Sequence, residues 1–183
     1  MKHYLRNFER KKTMIKIYFE PSALFKGYFP EEGSEVVEKV ISALDGNNLC
    51  SFTSIWSLLE IARAFKKRVN LGEIDEKEGE NAVIFFFTDI KKLVSEGRLV
   101  LLSIDTSLIM KSYKTLWKYN LYAADALHVT TYFENTLDYF FAVDRHFKKF
   151  EKIENLKLID PLTEDGVAKV NELIRKAKNK TNE

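Results

Sequence analysis

Four acidic side chains stand against apolar surroundings: Glu20, Glu60, Asp125 and Asp144. Glu20 follows the run Ile15–Phe19, and Asp144 follows Tyr139–Val143. Glu60 lies at the border of an apolar helical face beside Trp56 and Ala64, and Asp125 sits among alanines in Leu121-Tyr122-Ala123-Ala124-Asp125-Ala126-Leu127-His128. Carboxylates that converge with no base between them repel and raise one another's pKa. A hard divalent cation such as Mg2+ or Mn2+ relieves that repulsion through oxygen ligands. Such a cation can bind a phosphate ester and lower the pKa of an attacking water, so the chemistry open to this set is metal-assisted phosphodiester hydrolysis.

Each acid also has an ordinary explanation. Glu20, just before Pro21, and Asp125 can complement a helix dipole from the first turn. Asp144 can cap a short helix His146–Phe150. Glu60 can be solvated or pair with Arg63 or Lys67. Taken singly, these explanations weigh as much as a site does. Ligands of open parallel sheets bind beyond the carboxyl ends of the strands, where Glu20 and Asp144 fall, but it is the combination of sequence segments around the four acids that changes the balance.

Other chemistries lack their residues. The chain has no Gly-rich dinucleotide loop, no GxxxxGK[ST] phosphate loop, no GxSxG elbow, no CxxC pair and no HExxH. His3, His128 and His146 are scattered, which argues against a histidine-built zinc site; His128 reads as a packed or hydrogen-bonded helix residue. The lone Cys50, in an apolar stretch, excludes an internal disulfide and fits a reducing compartment. A formal net charge of +2 over 183 residues does not by itself mark a nucleic-acid binder, so basic residues would have to cluster locally. Lys16 and Glu20 interrupt the first apolar run, and no segment has the length needed to span a bilayer, so the expectation is a soluble cytoplasmic protein with no membrane partner.

The elements that must position the acids alternate along the chain. Strand patterns are expected at Ile15–Phe19, Leu49–Thr53, Leu99–Ile104, Tyr139–Val143 and Leu156–Ile159. The continuous run Leu99–Ile104 predicts a strand covered on both faces. Helical spacing covers Ser34–Leu44, Ser54–Val69, Asp75–Val94, 106–118 and 122–134. Strands separated by helices predict one parallel sheet with helices on both faces. After Pro161, Val167, Val170, Leu173 and Ile174 predict a helix that docks on the body or on a second subunit. The triplet Phe85-Phe86-Phe87 cannot all point inward, which makes a homodimer through that helix plausible; with Trp56 it reads as core or interface rather than as a base-stacking platform.

Four segments occur in order: FEPSALFKGYFPEEGS, TSIWSLLEIARAF, LYAADALHV and FFAVDRHF. Together they resemble the PIN-domain nucleases, especially toxin nucleases of the VapC type. That family shows an acid-x-Ser-Ala-Leu-x-Lys opening, a Glu before Ala-Arg-Ala, an Ala-Ala-Asp-Ala-x-His helix start, and a strand ending in Asp followed by a basic residue. The Ala-Ala-Asp-Ala-Leu-His element is the most specific of these. The resemblance covers roughly Met14 to Leu162. It implies a three-layer α/β/α domain with a central, mostly parallel sheet over residues 14–162, flanked by a basic arm (1–13) and a helical tail (163–183).

On the same resemblance Glu20, Asp125 and Asp144 map onto metal ligands, and Glu60 onto a ligand or an acid that orients water. Ser22 maps onto the neighbouring catalytic hydroxyl. Lys26 and Arg145 are the basic residues best placed for substrate phosphate, with Arg63, Lys66, Lys67 and Arg68 also near. Glu20 stands where the family usually has Asp, and Ala142 where it often has Thr. The implied cofactor is Mg2+ or Mn2+, the substrate RNA, and the activity that of an endoribonuclease, with a small antitoxin protein as partner if the chain is a toxin. The alternatives are a catalytically degenerate domain serving as an RNA-binding or assembly module, and a phosphoesterase of small substrates with a closed pocket.

Overall fold

The five apolar runs expected as strands all pair into one sheet. The computed structural model describes residues 14–45, 48–143, 147 and 155–179. The order is β1 (Ile15–Phe19), α1 (Pro21–Phe25), α2 (Ser34–Ala43), β2 (Leu49–Ser54), α3 (Ser57–Asn70), α4 (Glu76–Ser95), β3 (Leu99–Leu102), α5 (Thr106–Tyr119), α6 (Ala123–Glu134), β4 (Tyr139–Phe141), β5 (Leu158–Ile159) and α7 (Glu164–Asn179). The strands lie in the order β3-β2-β1-β4-β5, with every neighbouring pair parallel. β1 is central, with Ile17 opposite both Ser51 and Tyr139. Phe19, Ser54 and Phe141 therefore finish at one edge of the sheet, and the segments that follow them carry Glu20, Glu60 and Val143 away from that edge.

Side chains alternate across a strand, and β1 shows what that does here. Ile15, Ile17 and Phe19 enter one apolar cluster with α2, α3, α4 and α7, while Tyr18 enters a second with α6, Phe140 and Phe147. This is the expected three-layer arrangement. The tail helix is bound to the body: Val170, Leu173 and Ala177 of α7 belong to the larger cluster. Gly166 allows this seating, because a Cβ there would fall 1.8 Å from the Asp160 carbonyl oxygen.

One boundary is corrected. The strand expected over Leu99–Ile104 ends at Leu102; it packs on both faces, Leu99 and Leu101 against the larger cluster and Leu102 against the smaller, but β3 is an edge strand and only Leu99 in it is fully buried. Its continuous apolar composition reflects one deep contact and three half-buried ones. Of the aromatic triplet on α4, Phe86 is buried whereas Phe85 is 63 % exposed. Among the described residues no helix is long and apolar enough to cross a membrane. The arm 1–13, Asp144, Arg145 and the short helix expected over 146–150, Phe147 excepted, lie outside the described residues.

Candidate active site

The carboxyl end of β1 delivers Glu20 directly. Its backbone N–H donates to the Phe141 carbonyl at 2.9 Å, which locks it to the end of β4. Glu20 then caps α1: the Ser22 N–H donates to Glu20 Oε2 at 2.8 Å, Pro21 occupies the first helical position, and the Ser22 hydroxyl also donates to Oε2. The Val143 N–H donates back to Ser22 Oγ at 3.0 Å. Ser22 thus joins the first acid to the backbone immediately before Asp144. Ala142, where the family often has Thr, is fully buried, and its N–H donates to the Ile159 carbonyl at 3.1 Å.

Glu60 is positioned from β2. Thr53 Oγ1 lies 2.7 Å from both the Phe19 carbonyl oxygen and Ser57 Oγ, and all three groups are buried. That contact ties the residue before Glu20 to the first residue of α3, so Glu60 emerges from the first turn at the same edge. Its Oε2 lies 2.7 Å from His128 Nε2, and His128 Nδ1 lies 2.7 Å from the Tyr18 hydroxyl. His128 is completely buried, whereas 28 % of the Glu60 side chain remains exposed. The other side of Glu60 opens to a cleft of ≈ 300 Å³ that it lines with Pro21, Ser22, Phe25, Ala64 and Val143.

Asp125 lies in the first turn of α6, three residues before His128, so the two share one helix face. His128 touches Tyr18, near the end of β1, which carries Asp125 one turn farther toward the carboxyl edge. The expected acids Glu20, Glu60 and Asp125 are therefore brought to one edge of the sheet by three different elements. Among the described residues no group of three or more His, Cys, Asp or Glu closes to metal-holding distance.

Burial dominates the electrostatics. It pushes the Glu20 carboxyl up to about 7; the nearby Glu60 charge acts in the same direction, while His128 and the two Ser22 hydrogen bonds oppose it. Burial likewise raises the Tyr18 hydroxyl well above its ordinary range, so it keeps its proton. Two neighbouring carboxyl groups offer oxygen donors of the kind a hard divalent cation takes, and the described residues alone do not complete a set of three.

Lys26, expected to hold substrate phosphate, lines the same cleft with its ammonium already engaged. It is only 5 % exposed, and its ammonium lies 2.7 Å from Glu31 Oε1 and 2.7 Å from the Glu32 carbonyl. Arg68 reaches the same Glu31 and lies over the Phe29 ring, 4.9 Å from its centroid. Both cations brace the turn after α1 instead of presenting free charge. Arg63 and Lys67 are exposed and line an open groove with Trp56, Leu59 and Glu60. Sequence reasoning missed Tyr18, Thr53 and Ser57, and it treated His128 as a residue of its own helix. Histidine after Ala-Ala-Asp-Ala-Leu was the one available signal, and it names no partner.

A parallel α/β/α sandwich with acids gathered at the carboxyl edge of its sheet is the class of protein these observations define. No protein-family model matches the sequence, and no curated protein matches it. Solved structures do share the fold. One is a chain of VapBC2 from Rickettsia felis bound to a DNA fragment from their promoter, at 15 % identity and a TM-score of 0.51, covering 80 % of this chain and 98 % of that one. A chain of a toxin–antitoxin complex from Klebsiella pneumoniae matches at 13 % identity and a TM-score of 0.50, covering 79 % and 97 %. PAE2754 from Pyrobaculum aerophilum matches at 15 % identity and a TM-score of 0.57, covering 86 % and 90 %. These neighbours agree with the PIN-type, VapC-like resemblance carried by the four sequence segments, and what they share with this chain is the fold.

Proposed function

We propose that this chain is a divalent-metal-dependent endoribonuclease that hydrolyses RNA phosphodiester bonds, and that it is the toxin of a toxin–antitoxin pair. The observation that carries the reading is Glu20, a buried carboxyl held at the carboxyl edge of the sheet, raised to about 7 and close enough to Glu60 to feel its charge. Glu20, Asp125 and Asp144 would hold Mg2+ or Mn2+, with Glu60 as a further ligand or as the acid that orients water. When bound, the cation supplies positive charge for the scissile phosphate and acidity for the attacking water. Ser22 keeps the Glu20 carboxylate in place through its hydroxyl and backbone N–H. Arg63, Lys67 and Arg145 are the residues we assign to the RNA backbone, in place of Lys26.

The toxin assignment is supported by fold-sharing chains from two toxin–antitoxin complexes. A small antitoxin would cover the cleft beside Glu60. The exposed Ile84 and Phe85 of α4 support a homodimer through that helix.

The test is cleavage of a structured RNA with Mn2+, run beside EDTA and beside Asp125→Asn. Cleavage by the wild type should vanish in both controls. A degenerate domain that binds RNA or assembles is the second reading, favoured by the fact that Glu20 already serves as the cap of α1. Intact folding with no cleavage and no heat on Mn2+ titration would establish that reading instead.

A further inference from the structure

The contact between His128 and Glu60 crosses the sheet. α3 contributes Ile61 and Phe65 to the larger apolar cluster, whereas α6 contributes Ala126 and Val129 to the smaller one on the opposite face. A side chain from one layer thus reaches past the end of β1 to grip an acid from the other. Both hydrogen bonds are 2.7 Å long, and the imidazole between them is completely buried.

The chemistry of the partners sets the direction of the bond to Glu60. An ionised carboxylate only accepts, so Nε2 carries the proton shared with Glu60 Oε2. The Tyr18 hydroxyl, which can donate or accept, meets Nδ1 on the other side of the ring at 2.7 Å. Tyr18 therefore fixes the ring from its far side, and the ring aims its Nε2–H at one oxygen of Glu60. An acid with 28 % of its side chain open to the cleft would otherwise sample several rotamers.

We infer that His128 is a positioning residue for the candidate metal centre: buried and oriented by Tyr18, it holds the Glu60 carboxylate in a single orientation across the carboxyl edge of the sheet. The inference rests on the proposed metal-dependent reading of that edge. Groups that orient metal-binding side chains typically change metal affinity by about 10- to 100-fold when removed.

Two amide replacements separate this role from mere packing. Glutamine can place its Nε2 where the imidazole Nε2 lies and still donate to Glu60. Asparagine places its amide at the Nδ1 position, where it meets Tyr18 and does not reach Glu60. Mn2+ alone is titrated calorimetrically into the full chain as wild type, His128→Gln and His128→Asn, with the thermal melting of each recorded without metal. Asparagine should weaken Mn2+ binding at least about tenfold, whereas glutamine should stay within about threefold of wild type. Equal affinities for the two variants would overturn the inference while leaving the metal reading intact. No binding by the wild type would overturn both. A second measurement uses the metal-free wild type: ¹⁵N spectra of labelled histidine should show a protonated Nε2 for His128. An unprotonated Nε2 would overturn the inference even if both variants fail to fold.

Discussion

The two faces of the sheet are built differently. The face shared by α1, α2, α3, α4 and α7 is filled by apolar side chains from Ile15 to Ala177, with Phe65 and Phe86 at 1 % and 0 % exposure. The face covered by α5 and α6 is smaller; where the larger one buries Thr53 and Ser57, it buries His128 and Thr131 beside the Tyr18 hydroxyl, with Thr130 turned toward α5. Thr130 and Thr131 donate to carbonyls one turn back in their own helix, at 2.7 Å each. His128 makes both of its hydrogen bonds outside its helix, whereas Thr130 adds one across to Thr115 of α5 at 3.0 Å. The difference teaches where to look for function: one face supplies stability, and the other carries a buried polar connection that ends on a candidate site acid.

The comparison can be broken on the apolar side first. Phe65 packs edge-to-face on Phe25 at 4.9 Å and is almost wholly buried. Phe65→Ala should cost about 3–5 kcal/mol in urea unfolding, the usual range for a buried aromatic truncated to alanine. A loss under about 1 kcal/mol would mean that this face is not close-packed.

The next effect is electrostatic and has the opposite sign. The folded Glu20 carboxyl is raised from 4.5 to about 7, so between those pH values the folded chain binds more protons than the unfolded one. Stability then falls as pH rises through that window, and at pH 8 the ionised, metal-free side chain costs roughly 3 kcal/mol. Glu20→Gln, which resembles the protonated acid, should match the wild type at low pH and exceed it by roughly 3 kcal/mol at pH 8 in EDTA. Denaturant midpoints at the two pH values decide this; a difference that does not change with pH would show that Glu20 is not the buried acid described.

The smallest effect sharpens the contrast within the polar face. Lys111 and Glu134 pair between α5 and α6, but their side chains are 48 % and 41 % exposed. Lys111→Ala should shift stability by less than about 1 kcal/mol, because exposed pairs are screened and lose side-chain entropy. A larger change in thermal unfolding would place real stability at the outer surface of this face.

Much of the architecture was legible before any coordinates. The apolar run Ile15–Phe19 is β1 residue for residue, and the valine spacing from Ser34 ends one residue past the close of α2. These signals are local, because strand and helix periods are written in neighbouring positions. The helical spacing begins at Ser54, three residues before α3 starts, since Ser54 continues β2 and its hydroxyl accepts the Trp56 N–H at 3.1 Å. The edge position of β3 was not legible, because an apolar run looks the same whether its second neighbour is a strand or solvent. At the candidate site, the acids could be named from their neighbours, but the braces could not. Lys26 carries no mark that the turn after α1 brings Glu31 back to it.

The sequence by itself determined the strands and helices, the parallel layered architecture they imply, and a set of acids placed after strands or in first turns. It did so because burial and backbone periodicity act over a few residues. Only the tertiary structure decided that β3 is an edge, that Lys26 is spent internally, and that Tyr18, His128 and Glu60 form one connected line. Glu60 lies 68 residues from His128 and Tyr18 lies 110 residues from it. Hydrogen bonds over such separations depend on where the whole chain returns, which no local pattern encodes.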